Sequence, residues 1–193
     1  MKFFIDTANL DEIAEAKSWG CLAGVTTNPS LIAKEGRVFE EVIAEIAPNI
    51  VVKLPVCEAG LAACRALADA GVRVNMTLVF SPTQALMAAN AGARYISPFV
   101  GRFDDIAEDG ISQLDNVVTC IKNYDWTGKN VDDTVEIITA SVRTPNHVTQ
   151  AALLGADIAT VPMAALKKCL HHPLTDQGLA SFEADWQKVV AQA

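Results

Sequence analysis

Short runs of apolar and β-branched residues alternate with longer amphipathic segments along the whole chain. Short, continuous apolar runs are typical of strands that are buried on both faces of a parallel sheet. The runs that predict strands are Phe3–Ile5, Gly24–Thr27, Ile50–Leu54, Val74–Val79, Arg94–Ser97, Val135–Ala140 and Asp157–Val161.

The segments between these runs place apolar residues at helical spacing, and regular alternation of strands and helices indicates βα units around a parallel sheet. The predicted helices are Leu10–Ser18, Phe39–Ile46, Glu58–Ala70, Pro82–Ala91, Gln113–Asn123 and Pro145–Leu154. A further amphipathic segment, Leu179–Ala191, follows the last strand. The sequence leaves open whether it covers its own barrel or packs on a neighbouring subunit. The polar segment Asn123–Asp133 predicts an exposed loop.

Polar residues follow many of the predicted strands, which favours a barrel over an open nucleotide-binding sheet. The turn after the first strand has no glycine-rich phosphate loop, and no such loop occurs elsewhere. In a β/α barrel the carboxyl ends of the strands meet on one face. The polar strand-end residues are Asp6, Thr27, Asn28, Lys53, Thr77, Arg102 and Ser141. We therefore predict an α/β, TIM-type barrel with a C-terminal helix, formed as one domain by residues 1–193.

The net charge of −8 disfavours nucleic acid and anionic membranes as partners. A small phosphorylated substrate remains compatible, because a local pair of arginines can hold a phosphate on an acidic protein. The chain is 51% hydrophobic, but no apolar stretch is long enough to span a bilayer. We expect a cytoplasmic protein.

The cysteines and histidines do not form a pattern that predicts a metal site. The five cysteines are odd in number, and no pair has the spacing of a C-x-x-C motif. The three histidines, His147, His171 and His172, make no cluster with them. We expect reduced thiols, no metal and no cofactor.

Lys53 is the most unusual residue of the predicted strands, because lysine is rarely buried without a partner. A lysine amine is a nucleophile when it is neutral, and an apolar surrounding favours the neutral form. Lys53 is therefore either a Schiff-base nucleophile at the mouth of the barrel or a strand-end lysine that reaches solvent.

Six motifs spread over nearly the whole chain resemble the small transaldolase/fructose-6-phosphate aldolase family. They are Met1–Ala8, Gly24–Ser30, Val51–Pro55, Thr77–Ser81, Ile96–Arg102 and Ala140–Pro145. The resemblance continues through His172–Asp176 to the helix that carries Trp186.

This resemblance implies roles for three catalytic residues. Lys53 would form the Schiff base with the substrate ketone. Asp6 would orient substrate hydroxyls and the catalytic water, and Thr77 would hold that water. The alternative for Asp6 is a solvated strand end.

The resemblance also implies the substrate-binding residues. Thr27 and Asn28 would bind the ketose, with Asn28 near the C1 and C3 hydroxyls, and Ser141 would bind the dihydroxyacetone part. Arg102 and Arg143 would hold the distal phosphate, a task that suits paired guanidinium groups. The alternatives are a turn-forming side chain for Asn28 and surface ion pairs for the arginines.

The function implied by the resemblance is transfer of a dihydroxyacetone unit from fructose 6-phosphate to erythrose 4-phosphate, a step of the pentose phosphate pathway, without cofactor or metal. Fructose-6-phosphate aldolase is the alternative, and Phe99 favours the transaldolase because the aldolase branch has a tyrosine there. The family also implies a homo-oligomer, as a ring of five subunits or a pair of such rings.

Compared with the family that it resembles, the chain lacks one β/α unit between Phe39–Ile46 and the lysine strand, roughly thirty residues at the usual barrel length. By the resemblance, the missing strand carries the acid/base glutamate of transaldolases. The gap would leave two open sheet edges, force closure on seven strands, or be filled by a neighbouring subunit or another element. A third hypothesis follows, an impaired family member that only binds sugar phosphate or assembles.

Overall fold

The computed structural model describes residues 1–34 and 50–191. The strands in these ranges are β1 (Lys2–Asp6), β2 (Leu22–Thr26), β3 (Val52–Pro55), β4 (Val74–Val79), β5 (Tyr95–Pro98), β6 (Glu136–Thr139) and β7 (Ile158–Val161). The helices are α1 (Leu10–Ser18), α2 (Pro29–Lys34), α3 (Glu58–Asp69), α4 (Pro82–Asn90), α5 (Gly101–Asp104), α6 (Gly110–Lys122), α7 (Pro145–Leu153), α8 (Met163–Leu170) and α9 (Pro173–Val190).

All seven strands belong to one parallel sheet with the order β2-β1-β7-β6-β5-β4-β3. The sheet curls into a half-barrel with helices on its outer side, which confirms the predicted TIM-type α/β fold with a C-terminal helix. Within residues 1–34 and 50–191, β2 and β3 are the two edges of the sheet. The opening therefore lies where the sequence lacks one β/α unit.

Several helices begin where a polar side chain caps the first turn. Asn9 accepts a hydrogen bond from the backbone of Glu12, and Ser81 and Thr144 act in the same way at α4 and α7. Pro82 and Pro145 follow two of these caps, where a missing N–H costs nothing. These local signals explain why the predicted starts of α1, α4 and α7 are confirmed.

Two apolar clusters fill the space between the sheet and its helices. One packs β4, β5 and β6 against α3, α4 and α6, and the other packs β1 and β7 against α1, α7 and α8. Val74 and Met76 belong to the first cluster, so Asn75 and Thr77 point to the inside of the half-barrel. The curled sheet thus presents its polar residues to its own interior.

The predicted strand boundaries are confirmed within two residues at each end. The interpretation of the lysine strand as fully buried is wrong, because Ile50 is 48% exposed and Pro55 is exposed. In the described sheet β3 has a neighbouring strand, β4, on one side only. This edge position explains why its residues are more exposed than predicted. The predicted helix Phe39–Ile46 lies outside the described residues.

The last part of the chain differs from the prediction in two places. The C-terminal helix begins at Pro173, earlier than expected, and α8 was not predicted at all. In the described chain α9 buries none of its residues, so it does not pack on its own barrel. None of the described helices combines the length and the apolarity that a membrane crossing requires.

The segment Asn123–Asp133 is irregular, as predicted, but it is not exposed along its whole length. Trp126 is buried in the larger apolar cluster, and its Nε1 donates a hydrogen bond to the carbonyl of Ile121 at 2.9 Å. A large aromatic ring with a satisfied N–H anchors this loop to the core.

Candidate active site

Lys53 lies on β3 with its side chain on the inner side of the half-barrel, because the neighbouring Leu54 packs against the outer core. Burial lowers the pKa of the Lys53 amine, and the Asp6 carboxylate opposes this effect. The Lys53 side chain makes no hydrogen bond or ion pair with any residue in the described part of the chain. A partly desolvated amine without a partner has the properties of a nucleophile.

Asp6 lies at the carboxyl end of β1 and accepts a hydrogen bond from the Thr26 hydroxyl at 2.7 Å. The Thr26 hydroxyl is 2.5 Å from that of Thr160 on β7. Because Thr26 has one hydroxyl hydrogen and gives it to Asp6, Thr160 must donate to Thr26. The chain from Thr160 through Thr26 to Asp6 holds the carboxylate in place across three neighbouring strands.

Thr26 and Thr160 were missed by sequence reasoning. Thr26 precedes the predicted Thr27, and strand register places it beside Asp6. A threonine that ends a strand next to an aspartate-bearing strand was a signal. Thr160 had none, because its role depends on β7 returning to β1.

Thr77 lies on β4 directly before a backbone irregularity. Leu78 adopts a left-handed conformation with φ of 59°, and the register between β4 and β5 shifts there. The Thr77 hydroxyl is buried and has no hydrogen-bond partner among the described residues. A strained backbone beside an unsatisfied hydroxyl is typical of functional sites.

Thr27 and Asn28 directly follow β2, an edge strand of the described sheet. The Asn28 Oδ1 accepts a hydrogen bond from the backbone N–H of Leu31 at 3.0 Å, so it caps α2. The turn-forming alternative for Asn28 is therefore correct for its oxygen, and its amide nitrogen is the group left for a substrate hydroxyl. The Thr27 hydroxyl is buried without a partner among the described residues.

Ser141 and the two predicted phosphate arginines lie around α5. Ser141 has a left-handed backbone with φ of 58°, and its carbonyl accepts from the N–H of Gly101 at 3.1 Å. The Arg102 guanidinium lies 5.2 Å from the Phe99 ring centroid. Arg143 forms a two-pronged ion pair with Asp105. The structure therefore shows Arg143 in the surface ion pair that was the alternative to a phosphate site.

The family model described as Transaldolase/Fructose-6-phosphate aldolase matches residues 3–47 and 38–193. The chain belongs to the transaldolase/fructose-6-phosphate aldolase family.

Its relatives in this family include proteins named as probable transaldolases in several bacteria. The Desulfatibacillum aliphaticivorans protein is 49% identical over 218 residues, with 97% of this chain and 99% of the relative covered. The Lysinibacillus sphaericus protein is 49% identical over 219 residues, with 97% and 98% covered. The Aquifex aeolicus protein is 47% identical over 219 residues, with 98% of each chain covered.

Each of these alignments has more positions than the number of residues of this transaldolase-family chain that it covers. The Desulfatibacillum alignment has 218 positions, whereas 97% of 193 residues is about 187. About 31 positions therefore fall opposite gaps in this chain. The two matches to the family model overlap at residues 38–47, which places the join between β2 and β3. The length and the place agree with one missing β/α unit.

Two buried polar side chains form a hydrogen-bonded pair on the inside of the half-barrel, next to β3. The Ser97 hydroxyl donates to the Asn75 Oδ1 at 2.8 Å, and both side chains are buried. Asn75 is the strand neighbour of Lys53. The pair had no clear sequence signal, since a single Asn within an apolar run also suits a turn or an edge.

Proposed function

We propose that this protein transfers a dihydroxyacetone unit from fructose 6-phosphate to erythrose 4-phosphate through a Schiff base on Lys53. The observation that carries the proposal is the Lys53 amine, which is partly buried, has a lowered pKa and makes no ion pair with a described residue. It points to the inside of the half-barrel, where Asp6 is close enough to influence its charge.

The neutral amine attacks the C2 carbonyl of fructose 6-phosphate and loses water to give an iminium. The iminium accepts the electron pair of the C3–C4 bond as this bond breaks, while the C4 hydroxyl loses its proton. Glyceraldehyde 3-phosphate leaves, and a three-carbon enamine stays on Lys53. The enamine then forms a new bond to the aldehyde carbon of erythrose 4-phosphate while the aldehyde oxygen takes up a proton. Water hydrolyses the resulting iminium, which releases the ketose product and the free Lys53 amine.

The residues that we assign to the sugar lie near the carboxyl ends of β1, β2, β4 and β6. Asp6, Thr27 and Asn28 offer polar groups on the β1 and β2 side, and Thr77 offers an unsatisfied hydroxyl to a water on the β4 side. Ser141 is the proposed contact of the dihydroxyacetone part. This scheme needs neither a metal nor a cofactor.

The distal phosphate is assigned to Arg102 and Arg143, which flank the short helix α5. Arg102 makes no ion pair with a residue of the described chain, so its charge is available. The negative charge of the whole protein is −8, and a local pair of cations is what lets such a surface accept a phosphate.

Phe99 supports the transaldolase rather than the aldolase. Its ring packs against Phe80 at 5.5 Å and against the Arg102 guanidinium, and it has no hydroxyl for proton transfer. An aldolase of this family is expected to use a tyrosine there. Aldolase activity is therefore the second candidate.

The missing unit bears on the rate of this reaction. By resemblance, it carries the glutamate that moves protons in transaldolases, and Asp6 is the acidic residue that ends a described strand on the catalytic face. Loss of one general acid/base slows an enzyme by about 10²–10⁴-fold. We therefore expect Schiff-base formation with slow turnover. If turnover is lost altogether, the protein is the impaired family member of the third hypothesis.

The test is to trap the iminium. The protein is incubated with fructose 6-phosphate, reduced with borohydride and digested, and the modified residue is identified by mass spectrometry. The expected result is an adduct on Lys53 that is absent from Lys53→Met. No adduct on a folded protein would contradict both enzyme proposals.

Turnover assays with the same preparation separate the remaining possibilities. Product release that requires erythrose 4-phosphate indicates the transaldolase, and release without an acceptor indicates the aldolase. An adduct without any turnover indicates the impaired family member. Lys167→Met is the matched control, because Lys167 is exposed and pairs with Glu15 on the surface.

The remaining expectations belong to the same proposal. We propose that residues 1–193 act as one domain in the cytoplasm and assemble into a homo-oligomer of five or ten subunits. The support for assembly is the apolar face of α9, on which Phe182 is 73% and Trp186 61% exposed.

A further inference from the structure

Asp105 occupies the outer edge of the Arg143 guanidinium. Both Nη nitrogens of Arg143 donate to the two carboxylate oxygens of Asp105, with Nη2 and Oδ2 2.6 Å apart. A guanidinium binds a phosphate through the same kind of parallel N–H pair. One edge cannot hold two such partners, so Asp105 and a phosphate exclude each other at this position.

The other edge of the guanidinium is closed by backbone. A methyl group on Gly101 would stand 2.7 Å from the Nε of Arg143 and 2.4 Å from the carbonyl oxygen of Ser141. The Nε edge therefore lies directly against the backbone of α5. The backbone N–H of Arg143 donates to the Nδ1 of His147 at 3.4 Å. This contact holds the backbone from which the Arg143 side chain extends. The edge open to a ligand is the one that Asp105 occupies.

The Asp105–Arg143 pair is weak enough to break. The two side chains are 52% and 44% exposed, and exposed pairs change an equilibrium constant by at most about fivefold. The hydrogen bond from Arg143, together with the charges of Arg143 and Arg102, holds the pKa of Asp105 below its usual range. A doubly charged phosphate at this place would gain from both arginines.

We propose that Asp105 is a specificity residue that competes with the substrate phosphate for Arg143. The inference rests on the proposed function, in which Arg102 and Arg143 hold the distal phosphate. A phosphorylated sugar must displace Asp105, whereas a neutral sugar leaves the pair intact. Asp105 therefore weakens the binding of phosphorylated substrates and products and speeds their release.

The test compares inorganic phosphate binding to the intact protein and to Asp105→Asn by titration calorimetry. The variant keeps the shape of the side chain and removes its charge, so phosphate should bind about two- to fivefold more tightly. The control is Glu108→Gln, which removes the same charge in the same exposed loop from a side chain that pairs with no described residue. Its phosphate affinity should stay unchanged.

Arg143→Ala separates this inference from the proposed function. Phosphate binding should weaken in Arg143→Ala, and adding Asp105→Asn to it should then give no gain. If Arg143→Ala binds phosphate as the native protein does, the proposed phosphate site itself is wrong. If Arg143 is needed but Asp105→Asn binds phosphate no more tightly, only the competition is wrong. A gain in phosphate affinity in Glu108→Gln equal to that in Asp105→Asn would also contradict the competition between Asp105 and phosphate.

Discussion

At the scale of residues, the candidate site combines groups that have a partner in the described chain with groups that have none. The hydroxyls of Thr27 and Thr77 are buried without a partner in the described chain, and the Lys53 amine has none either. Asp6 is held by a hydroxyl chain, and Arg143 by Asp105. Unsatisfied groups that surround a nucleophile are the places where a substrate and water supply the missing hydrogen bonds.

The pH dependence of adduct formation is the prediction that belongs to this scale. Lys53 reacts only as the neutral amine, and burial lowers its pKa from 10.5. The trapping rate should therefore rise with pH, with a midpoint below the ordinary lysine value of 10.5. The measurement is the initial rate of borohydride trapping with fructose 6-phosphate between about pH 6 and 11.5.

The direction of this dependence also tests the role of Asp6. Its carboxylate favours the charged amine, so Asp6→Asn should move the midpoint to lower pH. A trapping midpoint at or above 10.5, the ordinary value for lysine, would contradict the desolvated amine.

At the scale of elements, β3 and α9 are the two parts that the described chain leaves incompletely covered. β3 is an edge strand with a partly exposed burial pattern, although its sequence is typical of a buried strand. α9 presents a stripe of apolar residues and buries none of them. An apolar stripe of this kind marks a binding surface, and the proposed oligomer offers a neighbouring copy to cover it.

Charges on the apolar stripe of α9 should therefore break the assembly. The double variant Phe182→Glu and Trp186→Glu should sediment as a monomer, because burying two carboxylates in an apolar contact is costly. The control is Gln177→Glu with Gln187→Glu, which adds the same charge to the polar face of the helix. Sedimentation velocity checks both, and an unchanged oligomer in the first variant would contradict the role of α9.

At the scale of the whole molecule, the main feature is a parallel sheet of seven strands that stays open between β2 and β3 in the described residues. The relatives carry about 31 further aligned positions, and the overlap of the family matches places the join at residues 38–47. A TIM barrel closes on eight strands, so one β/α unit accounts for the difference.

Restoring this unit should raise the turnover. We expect a chimera that carries the corresponding segment of the Desulfatibacillum relative between β2 and β3 to turn over about 10²–10⁴-fold faster, because it regains a general acid/base. The assay is the erythrose 4-phosphate-dependent transfer described above. The control is an insert of equal length without the strand's acidic residue. Equal turnover of chimera and native chain would show that the native chain already has its proton-transfer group.

Much of this picture was predictable from the sequence, because it depends on local signals. Strand positions followed from apolar runs and helix positions from apolar residues at helical spacing, and the structure adds caps such as Ser81 before Pro82. The α8 helix was missed because its apolar residues continue directly from β7 without a polar break. Trp126 was placed in an exposed loop, since polar neighbours hide a residue that packs on a distant part of the core.

The sequence by itself determined the alternation of elements, the order of the polar strand ends and the family, all of which reside in contiguous motifs. Only the tertiary structure decided which groups are paired and which are free. Thr160 reaches Thr26 because β7 returns to β1, and Asp105 reaches Arg143 because β5 and β6 are neighbours in the sheet. Such contacts join residues far apart in the chain, so they depend on how the sheet curls and closes.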